Sequence, residues 1–223
     1  MKKGTIIFAF LMSVIFISSS TYAQFRLSLS PALGLNFNLH TGSDLPESGN
    51  GFGMMIGGYA DMNFTENIGL IAGLAFYDNR SGSYSQTGTE QGVSYTADYS
   101  ASLAYFQIES LFKLGVKRSN FFFVMGPVLG FNISSEGETT IKITTPGYTF
   151  QDGSTSQKTK ASIKDTQVRF ELKAGAGYDI PVADGIAIAP QLTFGYGLTN
   201  VVSDVKWSVL TIQAQVGVKL NML

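Results

Sequence analysis

Residues 25–39 read FRLSLSPALGLNFNL. Phe25, Leu27, Leu29, Pro31, Leu33, Leu35, Phe37 and Leu39 are apolar, and between them stand Arg26, Ser28, Ser30, Ala32, Gly34, Asn36 and Asn38, which are small or polar. A period of two is the repeat of an extended strand, whose successive side chains point to opposite faces. One face of this segment is continuously apolar, and the run far outlasts the usual strand of about five or six residues.

The pattern recurs along the chain. It is found in Phe52 to Phe64, Ile68 to Phe76, Phe106 to Val116, Phe121 to Ile133, Val168 to Ile180, Ile186 to Leu198 and Leu210 to Met222, which makes eight strands with the first. The links alternate in length. Those around His40 to Gly51, Asn79 to Ala101 and Ser134 to Gln167 are long, Thr199 to Lys206 is intermediate, and Thr65 to Asn67, Lys117 to Ser119 and Val182 to Gly185 are tight. An even number of strands with long links on one rim and short turns on the other predicts an all-β, eight-stranded antiparallel up-and-down transmembrane β-barrel. Both termini then fall on the short-turn rim, which such barrels hold in the periplasm.

A soluble barrel could also alternate, but its outer face would need ample charge. Charged residues make up only 14% of this chain, and the face opposite the apolar one is mainly Gly, Ala, Ser, Thr, Asn and Gln, as suits a narrow lumen. The runs reach the 9 to 11 residues that a tilted strand needs to cross a bilayer. Aromatics near the strand ends (Phe25, Phe37, Phe52, Phe64, Phe76, Phe131, Tyr178, Tyr196 and Trp207) predict interfacial girdles. Pro31, Pro127 and Pro190 lie in the runs, where a residue without an N–H implies a bulge or a strand end.

Ahead of the first strand, Met1-Lys2-Lys3, an apolar stretch from Ile6 to Ile17, and small residues ending at Ala23 predict a secretory signal peptide over residues 1–23. The apolar stretch is short of the roughly 20 residues of a spanning helix. The barrel domain is then residues 24–223. The chain has no cysteine, so it carries neither a disulfide framework nor a lipoprotein anchor, and its net charge of -1 offers no electrostatic basis for nucleic-acid binding.

With lipid outside, strand parity turns Arg26, Asp61, Gln107, Glu109, Lys113, Arg169, Glu171, Lys173, Gln191, Gln213, Gln215 and Lys219 inward. Both signs are present, which predicts a paired polar network filling a lumen only wide enough for side chains. Glu109 and Lys113 share a parity on one strand and are expected to pair across the interior with Arg169, Glu171 or Lys173.

Catalytic and cofactor motifs are weak. His40 is the only histidine, with Ser43 and Asp44 nearby, but residues this close in a Gly/Pro/Ser-rich link rarely form a nucleophile, base and orienting-carboxylate relay, so it reads as an ordinary loop histidine. Gly175-Ala176-Gly177 lacks a following helix and reads as small-residue packing. No Cys or His cluster offers a metal site, and no cofactor is expected. The Tyr- and Ser-rich stretch Ser81 to Ser100 and the strand-like Thr139 to Gln151 suit contact with the outside.

Four segments stand together: Tyr105-Phe106-Gln107-Ile108 leading to Lys113, Phe123 to Phe131 with Gly126-Pro127 and Gly130, Gly175-Ala176-Gly177, and Tyr196-Gly197-Leu198-Thr199-Asn200. Together they resemble the PorT-like, porin-family outer-membrane β-barrel proteins of Gram-negative bacteria. The chain departs at Gln107 and Glu109, where the family carries Glu and Pro, and at Leu223 in place of a terminal aromatic. The resemblance implies an outer-membrane location and a barrel fold, and a monomeric barrel in contact with outer-membrane lipid is expected. Partners among envelope or secretion-system proteins are also implied, since one member is associated with type IX secretion. A non-enzymatic membrane protein is the first expectation, a component of a secretion or transport assembly the second, and a lipid A-modifying enzyme the third.

Overall fold

A computed structural model describes residues 25–222, so the expected signal peptide over residues 1–23 lies outside the described residues. In chain order the strands are β1 (Arg26–Thr41), β2 (Gly49–Asn63), β3 (Ile68–Asn79), β4 (Gly82–Glu90), β5 (Val93–Gly115), β6 (Phe121–Ile143), β7 (Ser156–Ser162), β8 (Arg169–Tyr178), β9 (Ile180–Ala183), β10 (Ile186–Gly197) and β11 (Ser208–Asn221). Eight of them, β1, β2, β3, β5, β6, β8, β10 and β11, pair antiparallel with their neighbours in turn. The ring closes where β1 meets β11, with Leu29 opposite Leu220, Asn36 opposite Gln213 and His40 opposite Val209. Closure leaves the ring without a free edge.

The apolar parity faces outward. Leu35 is 69% and Phe52 76% exposed, and Met125, Phe194 and Val216 share that face, so the outer surface is a band of large hydrophobic side chains. Such a band is stable only against hydrocarbon. Phe25 packs against Phe64 and Phe37 against Phe52 on it. Trp207 departs from the expected girdle: its indole turns inward and donates to His40 Nδ1 at 3.0 Å.

The link lengths divide the two rims. On one rim β2 and β3 are joined by a turn in which the backbone N–H of Ile68 donates to Thr65 Oγ1 at 2.9 Å. A tight turn from β5 to β6 lies there too, where Val116 N donates to Phe121 O at 2.8 Å. The β8 to β10 connection contains β9, which folds onto β10 through the two residues Asp184 and Gly185, the glycine at φ +73°. Both ends of the described chain sit on this rim, where Met222 N donates to Leu27 O and Asn221 N to Gly185 O.

The opposite rim carries more regular structure than the sequence suggests. Segments 79–101 and 134–167, expected as links with a strand-like stretch only at 139–151, contain β4, the first part of β5, the last part of β6 and β7, and of that stretch only residues 139–143 are strand. Ser83 pairs with Ser100, Tyr99 with Thr139 and Thr139 with Thr159, giving an antiparallel sheet of β4, β5, β6 and β7 beyond the ring. Their Ser, Thr, Tyr and Lys residues lack the continuous apolar stripe that lipid imposes on the wall strands, so no period of two marks them in the sequence.

The prolines are accommodated differently from expectation. Pro31 keeps its pairing with Gly58, while the ladder to β11 passes from Leu29 opposite Leu220 to Ala32 opposite Gly217 with no change of register. Pro127 likewise pairs with Leu172, and the β5 ladder skips between Val128 and Met125. Pro190 lies beside the break between β8 and β9. Missing N–H groups thus open one ladder locally, and the register shifts lie elsewhere: at Phe76 and Tyr77 on β3, which both face outward, at Ile133 on β6 and at Val182 on β9.

Candidate functional site

Two charge-balanced clusters fill the lumen. Toward the short-turn rim, Asp61 Oδ2 accepts from Lys113 Nζ and from Lys219 Nζ, each at 2.6 Å, and Lys219 also donates to Asp179 at 2.7 Å. Lys113 lies 3.7 Å from Asp179. The Phe122 ring lies 4.6 Å from the Lys113 ammonium and 5.3 Å from that of Lys219, so an aromatic face solvates both cations where water is scarce. Two lysines and two aspartates close the circuit.

Nearer the long-link rim, Lys173 Nζ donates to Glu109 Oε1 at 2.6 Å and to Gln213 Oε1 at 3.1 Å. Arg169 donates to Glu171 Oε2 through Nε at 2.8 Å and Nη2 at 2.6 Å, and Nη2 also reaches Val209 O at 3.0 Å. Arg80 Nε donates to Asp78 Oδ2 at 2.6 Å, and its Nη2 stands 3.9 Å from Glu171. Asp78 also accepts from the Asn36 carboxamide. Three cations, Lys173, Arg169 and Arg80, thus face three carboxylates, Glu109, Glu171 and Asp78.

Neutral groups join the layers. Tyr59 Oη donates to Gln215 Oε1 at 3.2 Å, and Gln213 Nε2 donates to the same oxygen at 2.9 Å. Among the sequence-expected lumen residues, Gln107, Glu109, Lys113, Arg169, Glu171, Lys173, Gln213, Gln215 and Lys219 are buried, and so is Asp61. Gln107 is enclosed without a side-chain hydrogen bond, packed with Tyr105 and Arg169 around Gly130. Gln191 is half-buried and lines a small gap beside Asp61 and Lys219. Arg26 differs: as the first residue of β1 it is exposed at the mouth, where it lines an opening together with Lys113 and Asp179.

The pairing expected for Lys113 is corrected. Glu109 meets Lys173, but Lys113 joins Asp61 and Asp179 in the other cluster, because four strand residues separate the two side chains by about 13 Å. Asp78, Arg80 and Asp179 escape the sequence reading. The bulge at Phe76 and Tyr77 inverts the parity after it, and Asp179 follows the last residue of β8. A readable signal for the first two is the spacing of Asp78 and Arg80, the same i, i+2 step as Arg169 and Glu171.

His40 is not a loop histidine. It is the penultimate residue of β1, 3% exposed, with Nδ1 occupied by the Trp207 indole N–H. Ser43 Oγ donates to Asp44 Oδ1 at 3.1 Å, and Asp44 Oδ2 accepts from the Lys206 backbone N–H at 2.8 Å, which together hold the Asp44 carboxyl below the usual range. The Ser43–Asp44 pair and the imidazole are thus held by separate contacts, and His40 Nε2 is buried without a hydrogen-bond partner.

The family model for the outer membrane protein beta-barrel domain matches residues 22–203. The chain belongs to that family. It is therefore a protein of the bacterial outer membrane that crosses with its strands, and β11, beyond the matched span, completes the ring. Comparison with curated proteins found no match. Among solved structures, the chain is similar to Ail, the attachment invasion locus protein of Yersinia pestis, at 11% identity and TM-score 0.40, over 86% of this chain and 98% of that one. It is also similar to the outer membrane protein AlkL, at 10% identity and TM-score 0.46 over 92% and 93% of the two chains. A third similarity is to OprG from Pseudomonas aeruginosa, at 10% identity and TM-score 0.39 over 90% and 97%.

Proposed function

We propose that the protein is a non-enzymatic, monomeric outer-membrane barrel with a closed lumen, whose long-link rim faces the outside for surface interaction or envelope structure and whose termini lie in the periplasm. The observation that carries this reading is the pair of charge-balanced clusters. Five buried cations, Arg80, Lys113, Arg169, Lys173 and Lys219, are matched by Asp61, Asp78, Glu109 and Glu171 in the lumen and by Asp179 at its edge. A solute crossing this barrel would have to break several short ion pairs at once, leaving each partner uncompensated. A channel that conducts needs binding weak enough to leave, and this interior offers none. The test is conductance of the purified protein in planar bilayers. No stable large conductance is expected, and a reproducible open channel would overturn the reading.

A second reading, membership of a secretion or transport assembly, is supported by the PorT-like resemblance at Tyr105 to Ile108 and Gly126-Pro127. It predicts one stoichiometric periplasmic partner on crosslinking in native membranes, and the absence of any reproducible partner would remove it.

A further inference from the structure

Above the charged clusters, at the long-link rim, the extramembrane sheet and the ends of β1 and β2 line a half-open cavity of about 320 Å³. Its floor is the hydrogen-bonded pair of Trp207 and His40, its walls include Tyr84, Tyr99 and Ile163, and Leu45 reaches in from the β1–β2 link. Tyr84 and Tyr99, both in the lining, stack with ring centroids 4.8 Å apart and an interplanar angle of 18°. Beneath the floor, Leu103, Tyr105, Val201 and Val209 form a dry plug that Trp207 packs upon, so the cavity is a dead end.

We propose that this cavity binds an uncharged, flat aromatic molecule of about two fused rings. An apolar cavity of about 150 Å³ holds a single benzene, so this one has room for about two rings. Concave sites with aromatic walls and few polar groups are the usual form of small-molecule pockets, and a flat guest would extend the tyrosine stack in the offset geometry that aromatic rings favour. Charge on the guest is disfavoured because Glu138, the one ionised residue of the lining, is held by Lys158 at 2.7 Å and lies 3.6 Å from Lys160. His40 is neutral as well, since its Nδ1 accepts a hydrogen bond. The site rests on the surface-interaction reading above and gives it a ligand class.

Trp207 is the only tryptophan of the chain, so its emission reports directly on the floor of the cavity. The folded protein in detergent micelles is titrated with 1-nitronaphthalene, a neutral two-ring quencher. Saturable quenching is expected, with a nitronaphthalenesulfonate at least tenfold weaker. Gly137 lines the cavity, and a Cβ there would meet Ile163 at 3.5 Å, an ordinary contact, so Gly137→Phe can fill the space without moving backbone. It should weaken the apparent affinity at least tenfold. Tyr99→Ala, which removes half of the stack, should weaken it severalfold, and both variants are checked for the heat-modifiable mobility of a folded barrel. Quenching that never saturates, or saturation unchanged in both variants, would overturn the proposal. An open channel in planar bilayers would end the closed-lumen reading without altering this titration, so the two failures are distinguishable.

Discussion

Glu109 and Lys113 point the same way from β5 yet serve different clusters, because each pairs with the nearest opposite charge at its own level. The pair Glu109–Lys173 has both side chains at 2% exposure or less, so removing one partner strands the other. Glu109→Gln or Lys173→Met alone should each cost about 3–5 kcal/mol, whereas the double variant should recover much of that loss. Urea unfolding of protein refolded into liposomes measures it, and strictly additive losses would show that the two do not depend on one another. Gly195 makes a sharper probe of the same cluster. A Cβ there would fall 1.7 Å from Glu171 Oε1, and the carboxylate cannot swing away while Arg169 holds it through two hydrogen bonds. Gly217→Ala crowds the Ser30 hydroxyl, a movable end, and otherwise makes ordinary contacts with Pro31 O at 3.5 Å and Ser30 Cβ at 3.6 Å. Gly195→Ala should therefore lower stability by about 2–3 kcal/mol more than Gly217→Ala, in keeping with the cost of overpacking a filled interior; equal losses would mean that Glu171 is free to move. The inward direction of Glu109 and Lys113 is legible in the sequence, since parity depends on counting alone. Their partners are not, because pairing depends on the stagger between strands.

At the level of the element, the informative feature is the bulge on β3. Ala75 pairs with Gln107 and Asp78 with Tyr105, so three steps on β3 oppose two on β5 and one residue is extra. Without it, Asp78 would take the lipid-facing parity of Leu74 and Phe76. Deleting Tyr77 should remove the bulge and leave both Asp78 and Arg80 inward, so the barrel should still fold. Deleting Ala75 instead would force Phe76 into the fully buried position that Ala75 fills, and folding yield should drop sharply. Heat-modifiable electrophoretic mobility reads both outcomes, and equal yields would argue against the register described here. The eight wall strands are legible because lipid on one side and a polar lumen on the other impose a strict period of two. β4 and β7 carry no such imprint, and β7 is held to β6 partly by exposed pairs such as Lys160 with Glu136 at 2.7 Å, worth little individually.

For the whole molecule, the asymmetry of the rims gives the proposed orientation its content. One rim holds tight turns and both described ends, and the other holds the four-strand sheet with its aromatic cavity. Because the chain has no cysteine, a single introduced thiol reports unambiguously on sidedness. Tyr148 is 52% exposed between β6 and β7, and Lys117 is exposed in the short turn between β5 and β6. In intact cells, a membrane-impermeant maleimide should label Tyr148→Cys and spare Lys117→Cys, while permeabilised cells should label both. Labelling of Lys117→Cys alone in intact cells would invert the orientation, and with it the side on which the aromatic cavity could meet a ligand.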